Sequence, residues 1–201
     1  RKPSGPASKK MNPTRREREA RVALSMVPAL GPRRMDELIG HFGSAAAAVD
    51  AGESALREVP MIGKVLAGRA AAPDLLDRAR AALDWARSRN VRVLVPEDEA
   101  FPGLLREIAD PPRVLWVRGE LPREEVRIAI VGTRRTSSYG LRIARELAEG
   151  LAERGAAVVS GLAVGADGAA HRGALERGRT IAVMATGPDR IYPGRHRGLA
   201  D

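Results

Sequence analysis

The chain has 201 residues, 44% hydrophobic and 29% charged, a balance that suits one large or two small globular domains and excludes whole-chain disorder and fibrous repeats. Its formal charge of +9 points to a polyanionic partner without choosing among DNA, RNA and small phosphates. It has no cysteine and no apolar run near the roughly 18 residues of a membrane helix, so disulfides and thiolate chemistry are excluded; its three scattered histidines argue against a histidine-built metal site, and a cytoplasmic protein with no cofactor and no membrane partner is expected.

Residues 1–13 are rich in Pro, Ser and Lys and offer almost nothing apolar to bury. They read as a disordered arm, and the expected basic tail extends over residues 1–20. Most of the net charge sits there: residues 1–21 carry eight basic and two acidic groups.

From Thr14 to Asn90 apolar positions recur at helical spacing, punctuated by Pro28, Gly31, Pro32, Gly43, Gly52, Pro60, Gly63 and Pro73. A helical domain is expected over residues 21–90. An internal echo runs through it. Val27-Pro28-Ala29-Leu30-Gly31-Pro32 returns 32 residues later as Val59-Pro60-Met61-Ile62-Gly63-Lys64. Each copy joins a short helix to the next through an apolar-Gly turn, as the helix-hairpin-helix units of small DNA-binding domains do. The first glycine of such turns is here Ala29 or Met61, and a side chain there obstructs close approach of a phosphate to the backbone. The hairpins are therefore read as structural.

The period changes at Val91. Val91–Val95 and Val114–Val117 read as strands, and Ile128–Val131 as a fully buried parallel strand. An amphipathic helix over 140–154, a strand over 156–160, a helix over 168–177 and a strand over 180–185 follow. Strand and helix in alternation imply a parallel sheet with right-handed crossovers, an α/β domain over 91–201. The sheet is expected to continue past Asp201.

Three glycine-containing loops follow the three parallel strands, and in an open α/β sheet such loops share the carboxyl rim where ligands bind. The first supplies Gly132, Thr133, Arg134, Arg135 and Ser137. The second supplies Ser160, Gly161, Ala163, Gly165 and Asp167, with His171 one turn along the helix. The third supplies Arg190 and Tyr192. Glycines let backbone amides approach an anion, helix N-termini add partial positive charge, and arginines match phosphate oxygens. Asp167 reads equally as a helix cap or a functional carboxylate, and His171 as a hydrogen-bonding brace. No dinucleotide fingerprint, no P-loop and no hydrolytic triad is present.

These words are recognisable. IAIVGTRRTSSYG, VVSGLAVGADGAAHRGAL, TIAVMATGPDRIYP and GRHRGL closely resemble the DprA/Smf family of DNA-processing proteins, as does the lead-in from Phe101-Pro102 through DPPRVLWVRGEL. The resemblance is strong over residues 91–201 and looser over 22–90, where it suggests a SAM-like helical domain. It implies an extended Rossmann-like fold, single-stranded DNA binding, a homodimer, and loading of RecA recombinase during natural transformation. It implies no catalysis. Arg134 matches the arginine of the family's Gly-Ser-Arg motif. Gly132, Ser160, Gly161, Gly165, Asp167 and His171 match its second motif or the adjoining pocket. The sequence departs from the family at Val164, where Arg or Lys is usual, at Ala166, where Ile is usual, and at His196, which replaces a common Asn. Arg135, Arg172 or Arg190 could replace the missing basic contact. The dimer and recombinase surfaces are attributed to family sequence beyond Asp201.

Aromatic residues are only 3% of the chain, so binding should lean on phosphate contacts and arginine packing, with Tyr139 and Tyr192 the only rim candidates for base stacking. The alternative function is a nucleotide-cleaving phosphoribohydrolase. Such enzymes carry Pro-Gly-Gly-x-Gly-Thr in the loop where this chain has Thr186-Gly187-Pro188-Asp189. A third alternative is an adaptor whose rim holds protein while the hairpins meet nucleic acid.

Overall fold

The computed structural model describes residues 13–122 and 126–201. The chain parts into two compact units, one ending at Leu121 and the other beginning at Pro122. The first holds six helices, α1 (Arg15–Ser25), α2 (Pro32–Phe42), α3 (Ala45–Asp50), α4 (Gly52–Leu56), α5 (Lys64–Ala70) and α6 (Leu75–Ser88). A strand β1 (Val91–Leu94), a short helix α7 (Gly103–Glu107) and a strand β2 (Leu115–Arg118) complete it. The strands form an antiparallel ribbon, Val91 opposite Arg118 and Leu94 opposite Leu115. Val93, Val114 and Trp116 pack against the helical core of Leu24, Met35, Leu38, Leu56 and Leu75. That packing moves the division from the expected residue 90 to Leu121.

The expected tail is also shorter than residues 1–20, because Arg15 already opens α1 behind the Thr14 cap, whose hydroxyl accepts from the Glu17 amide at 3.2 Å. Residues 1–12 lie outside the described residues. The charged run that resembles a tail satisfies itself internally. Arg18 places both guanidinium nitrogens on the Asp98 carboxylate, at 2.7 Å each, and one of them also donates to the Val93 carbonyl at 2.8 Å. Glu19 accepts from Arg15 and Arg80. Glu17 accepts from Arg21 and from the Ala45 and Ala46 amides, closing the start of α3.

The two hairpins repeat in three dimensions. Leu30 N–H donates to Val27 C=O at 3.1 Å, and Ile62 N–H to Val59 C=O at 3.1 Å. Ala29 and Met61 take the same left-handed conformation, φ 69° and 64°. The backbone thus keeps the turn that glycine usually serves, and two ordinary residues bear the strain. The Arg69 guanidinium donates to the Pro28 carbonyl at 3.4 Å, tying the second hairpin to the first.

The second unit comprises β3 (Arg127–Ala129), α8 (Ser138–Glu153), β4 (Ala157–Ser160), α9 (Ala166–Arg177), β5 (Thr180–Ala182), a 3-10 turn (Gly194–His196) and α10 (Arg197–Ala200). The sheet order is β3-β4-β5, all parallel, with Ile128 beside Val158 and Val159 beside Ile181. This is the Rossmann-like fold. Two successive right-handed crossovers place α8 and α9 on one face. Their contact is built from Ala144, Ala148, Ala152, Ala170 and Ala174. At Gly173 a Cβ would collide with the Arg145 carbonyl, so the helix backbones nearly touch. On the opposite face Val131 and Val183 are 80% and 62% exposed. Only β4 is well buried. The Ile128–Val131 run therefore differs from the fully buried strand expected of it: a one-sided cover leaves one face of β3 open.

Asp98 should be an anchor of the first unit. Replacing it by Ala should lower stability by about 3 kcal/mol in urea unfolding, because it strands the Arg18 guanidinium. Burial alone would raise the Asp98 carboxyl, but the Arg18 and Val95 donors outweigh it and hold it below its ordinary value near 3.8. Hydrogen bonds from Arg15 and Arg80 hold Glu19 below its ordinary value near 4.5. The unfolded chain therefore takes up protons first as pH falls. Stability present at neutral pH should drain away below those ordinary values, and less steeply in the Asp98→Ala variant.

Candidate nucleic-acid interface

The three loops expected at the carboxyl rim are there, and glycine sets how the first two meet. Gly165 has φ 87° and ψ −131°, a conformation strained for any other residue. A Cβ on it would collide with the Thr133 carbonyl and the Thr136 hydroxyl, and one on Gly132 would collide with the Ala166 methyl. Thr133 C=O accepts the Ala166 amide at 3.3 Å and the Thr136 hydroxyl at 2.6 Å. Thr133 Oγ1 accepts the Arg135 amide at 3.1 Å. The first loop is thereby pinned to the start of α9. It ends at Ser137, whose hydroxyl accepts the Gly140 amide at 3.2 Å and caps α8.

This scaffold sorts the thirteen candidate residues. Gly132, Thr133, Arg134, Arg135, Ser137, Gly161, Arg190 and Tyr192 lie exposed. Ala163 and Gly165 are half-buried. Ser160, Asp167 and His171 are buried and occupied. Ser160 donates its hydroxyl to the Ile130 carbonyl at 2.7 Å, tying β4 to the end of β3. Asp167 is not the cap residue of α9, which is Gly165. Its carboxylate instead accepts the Ala163 amide at 3.3 Å and packs against Gly161, bracing the second loop from beneath.

His171 is 1% exposed. Its Nδ1 lies 2.6 Å from the Thr180 hydroxyl, which itself donates to the Val158 carbonyl at 2.8 Å. The Thr180 hydroxyl thus links the imidazole to the β4 backbone. Nε2 is buried without a hydrogen bond. Burial pushes the imidazole below its ordinary value near 6.5, against the nearby Asp167 charge. His171, placed among the rim contacts by the sequence, is thus a buried brace that turns no face to a ligand. His196, seen in the sequence only as a departure from its family, is a second buried brace. Its Nδ1 donates to the Leu162 carbonyl at 2.9 Å, and its ring lies against Gly168. Leu162 holds φ 60° with its side chain buried. The pattern of apolar and glycine residues gives no hint of either.

The rim's electrostatics depend on which arginines are paired. On the outer faces of the helices Arg142 pairs with Glu146, Arg145 with Glu176 and Arg177 with Glu149. Among the described residues, Arg134, Arg135, Arg190 and Arg195 have no carboxylate partner. Their charge is left for something outside the fold. No three or more described His, Asp or Glu residues gather to hold a metal. No described helix is long and apolar enough to cross a membrane.

The geometry is that of a Rossmann-like α/β protein whose carboxyl rim bears exposed arginines. The family model described as DNA recombination-mediator protein A matches residues 92–201, and the chain belongs to that family. It is 37% identical over 189 residues to Protein Smf of Synechocystis, covering 89% of this chain and 46% of that one. It is 36% identical over 118 residues to the DNA processing protein DprA of Bacillus subtilis, covering 57% and 40%. The X-ray structure of DNA processing protein A from Streptococcus pneumoniae superposes with a TM-score of 0.58 at 26% identity, covering 94% of this chain and 64% of that one. The chain spans less than half the length of those two curated relatives.

Two outcomes test this geometry. Gly165→Ala should spread the first two loops and destabilise the second unit by about 2 kcal/mol in thermal or denaturant unfolding. Because His171 resists protonation in the fold, the unfolded chain gains a proton first as pH drops below about 6.5. Stability should fall between neutral pH and pH 5, and His171→Asn, which places an amide near the Nδ1 position and removes the titrating ring, should flatten that part of the profile.

Proposed function

We propose that the carboxyl rim binds single-stranded DNA, chiefly through its phosphates. The observation that supports this most is the contrast in arginine pairing. On the helices Arg142, Arg145 and Arg177 are neutralised by glutamates, whereas Arg134, Arg135 and Arg190, like Arg172 on α9, stand exposed with no described carboxylate partner. Unpaired guanidiniums beside close-packed glycine loops suit phosphate oxygens. The membership of a family described as a DNA recombination mediator makes DNA the apt polyanion. Arg135 and Arg190 take the part of the basic side chain missing at Val164.

On this reading the protein is a cytoplasmic binding protein rather than an enzyme. It works as a homodimer that brings RecA recombinase to incoming strands during natural transformation, as its resemblance to DprA/Smf proteins implies.

The rim reading is tested by titrating single-stranded and duplex DNA across a salt series. Affinity for the single strand should fall with salt, each neutralised phosphate adding about −0.7 to the logarithmic slope. Arg134→Ala should weaken binding by about 1–3 kcal/mol. A salt-independent affinity, or wild-type affinity in that variant, would remove phosphate contact at Arg134.

A further inference from the structure

The chain has only two tyrosines, and both are on the rim, Tyr139 66% exposed and Tyr192 64%. Its other aromatic rings are buried or half-buried: Phe42 and Trp116 pack on the helical core, Phe101 is enclosed, and Trp85 is intermediate. Among the described residues Tyr139 makes no hydrogen bond. The fold draws little from this ring, yet mounts it firmly.

The mounting is local. Tyr139 is the second residue of α8, a 16-residue helix anchored by the buried Ala144, Ala148 and Ala152. Gly140 lets the Thr136 methyl close onto the helix start, since a Cβ there would lie 2.7 Å from Thr136 Cγ2. The ring therefore sits at the end of the loop that presents Arg134 and Arg135. Tyr139 lies five positions after Arg134, at most about 18 Å of extended chain. Arg142, one turn along α8, holds its guanidinium 5.3 Å from the ring centroid. Glu146 fixes that guanidinium through both oxygens, at 3.0 and 3.2 Å. One face of the ring is thus backed by a restrained cation, and the high exposure leaves the other to solvent. A flat, pre-positioned aromatic face beside unpaired phosphate-binding arginines suits an unpaired nucleobase.

We infer that Tyr139, backed by Arg142, stacks one base of the bound strand, so that the rim holds bases as well as phosphates. The inference rests on the single-stranded DNA reading above. It also supplies a reason to prefer unpaired DNA: in a duplex the base faces are already stacked on one another.

The test compares the full chain's affinity for a thymidine oligonucleotide and for an abasic oligonucleotide of equal length, by fluorescence anisotropy. Wild type should prefer the thymidine strand by roughly 5- to 150-fold for one stacked base. Tyr139→Leu should lose most of that preference while keeping its affinity for the abasic strand, and Tyr139→Phe should retain the preference. In a strand carrying bromouracil, ultraviolet crosslinking should map to Tyr139 by mass spectrometry. The inference is overturned if wild type binds both strands equally, or if Tyr139→Leu discriminates as wild type does; either result leaves the phosphate reading standing. If wild type binds neither strand, the phosphate reading falls first and takes the stacking with it. Should Tyr139→Leu fold poorly, Arg142→Gln serves instead, and it should reduce the preference without altering abasic binding.

Discussion

Backbone meets backbone where the first two rim loops cross. Thr133 C=O reaches the Ala166 amide only because residue 165 has no side chain and sits at positive φ. The same contact sets where Arg134 and Arg135 emerge, since both follow directly from the pinned threonine. The first loop is held by its main chain and by its hydroxyl side chains, and the Arg134 and Arg135 side chains are thereby released from structural duty. That division of labour lets charged groups stay unpaired at little cost, since exposed guanidiniums remain hydrated until an anion arrives.

Charge is used in opposite ways in the two units. Around α1 the arginines are internal fasteners: Arg18, Arg21 and Arg80 each close on a carboxylate that also serves another partner. Half-buried, multiply bonded pairs of this kind fix geometry more than they add net energy. On the rim the same residue type has no such closure. A pI near 11.0 therefore says less about binding than the pairing pattern does.

Much of this was legible in the sequence, and the failures have physical causes. The three parallel strands, both crossover helices and the three loops follow from the change of period and from glycines placed after apolar runs. Helical spacing is readable from Thr14, but Arg-Arg-Glu-Arg-Glu-Ala-Arg looks solvated and so falls to the expected tail, because partners such as Asp98 and Arg80 lie too far along the chain to be paired by eye. The exposure of β3 depends on which face the crossovers cover, and local pattern is silent about a missing layer. At the site, sequence finds the loops but not the depth of each residue. Ser160, Asp167 and His171 share a motif with the exposed Gly161, yet their hydrogen bonds run inward to Ile130, Ala163 and Thr180. A motif therefore mixes groups that face solvent with groups that hold the loops in place.

The paired turns at Ala29 and Met61 carry a quieter consequence. A left-handed non-glycine residue costs about 1–2 kcal/mol, and the helical unit carries that debt at two places of nearly equal φ. Glycine at either place would release the torsional load but loosen the denatured chain, so the two effects partly cancel. The helical unit thus holds a matched pair of latent thermostability sites, both remote from the rim arginines in sequence and open to adjustment one at a time.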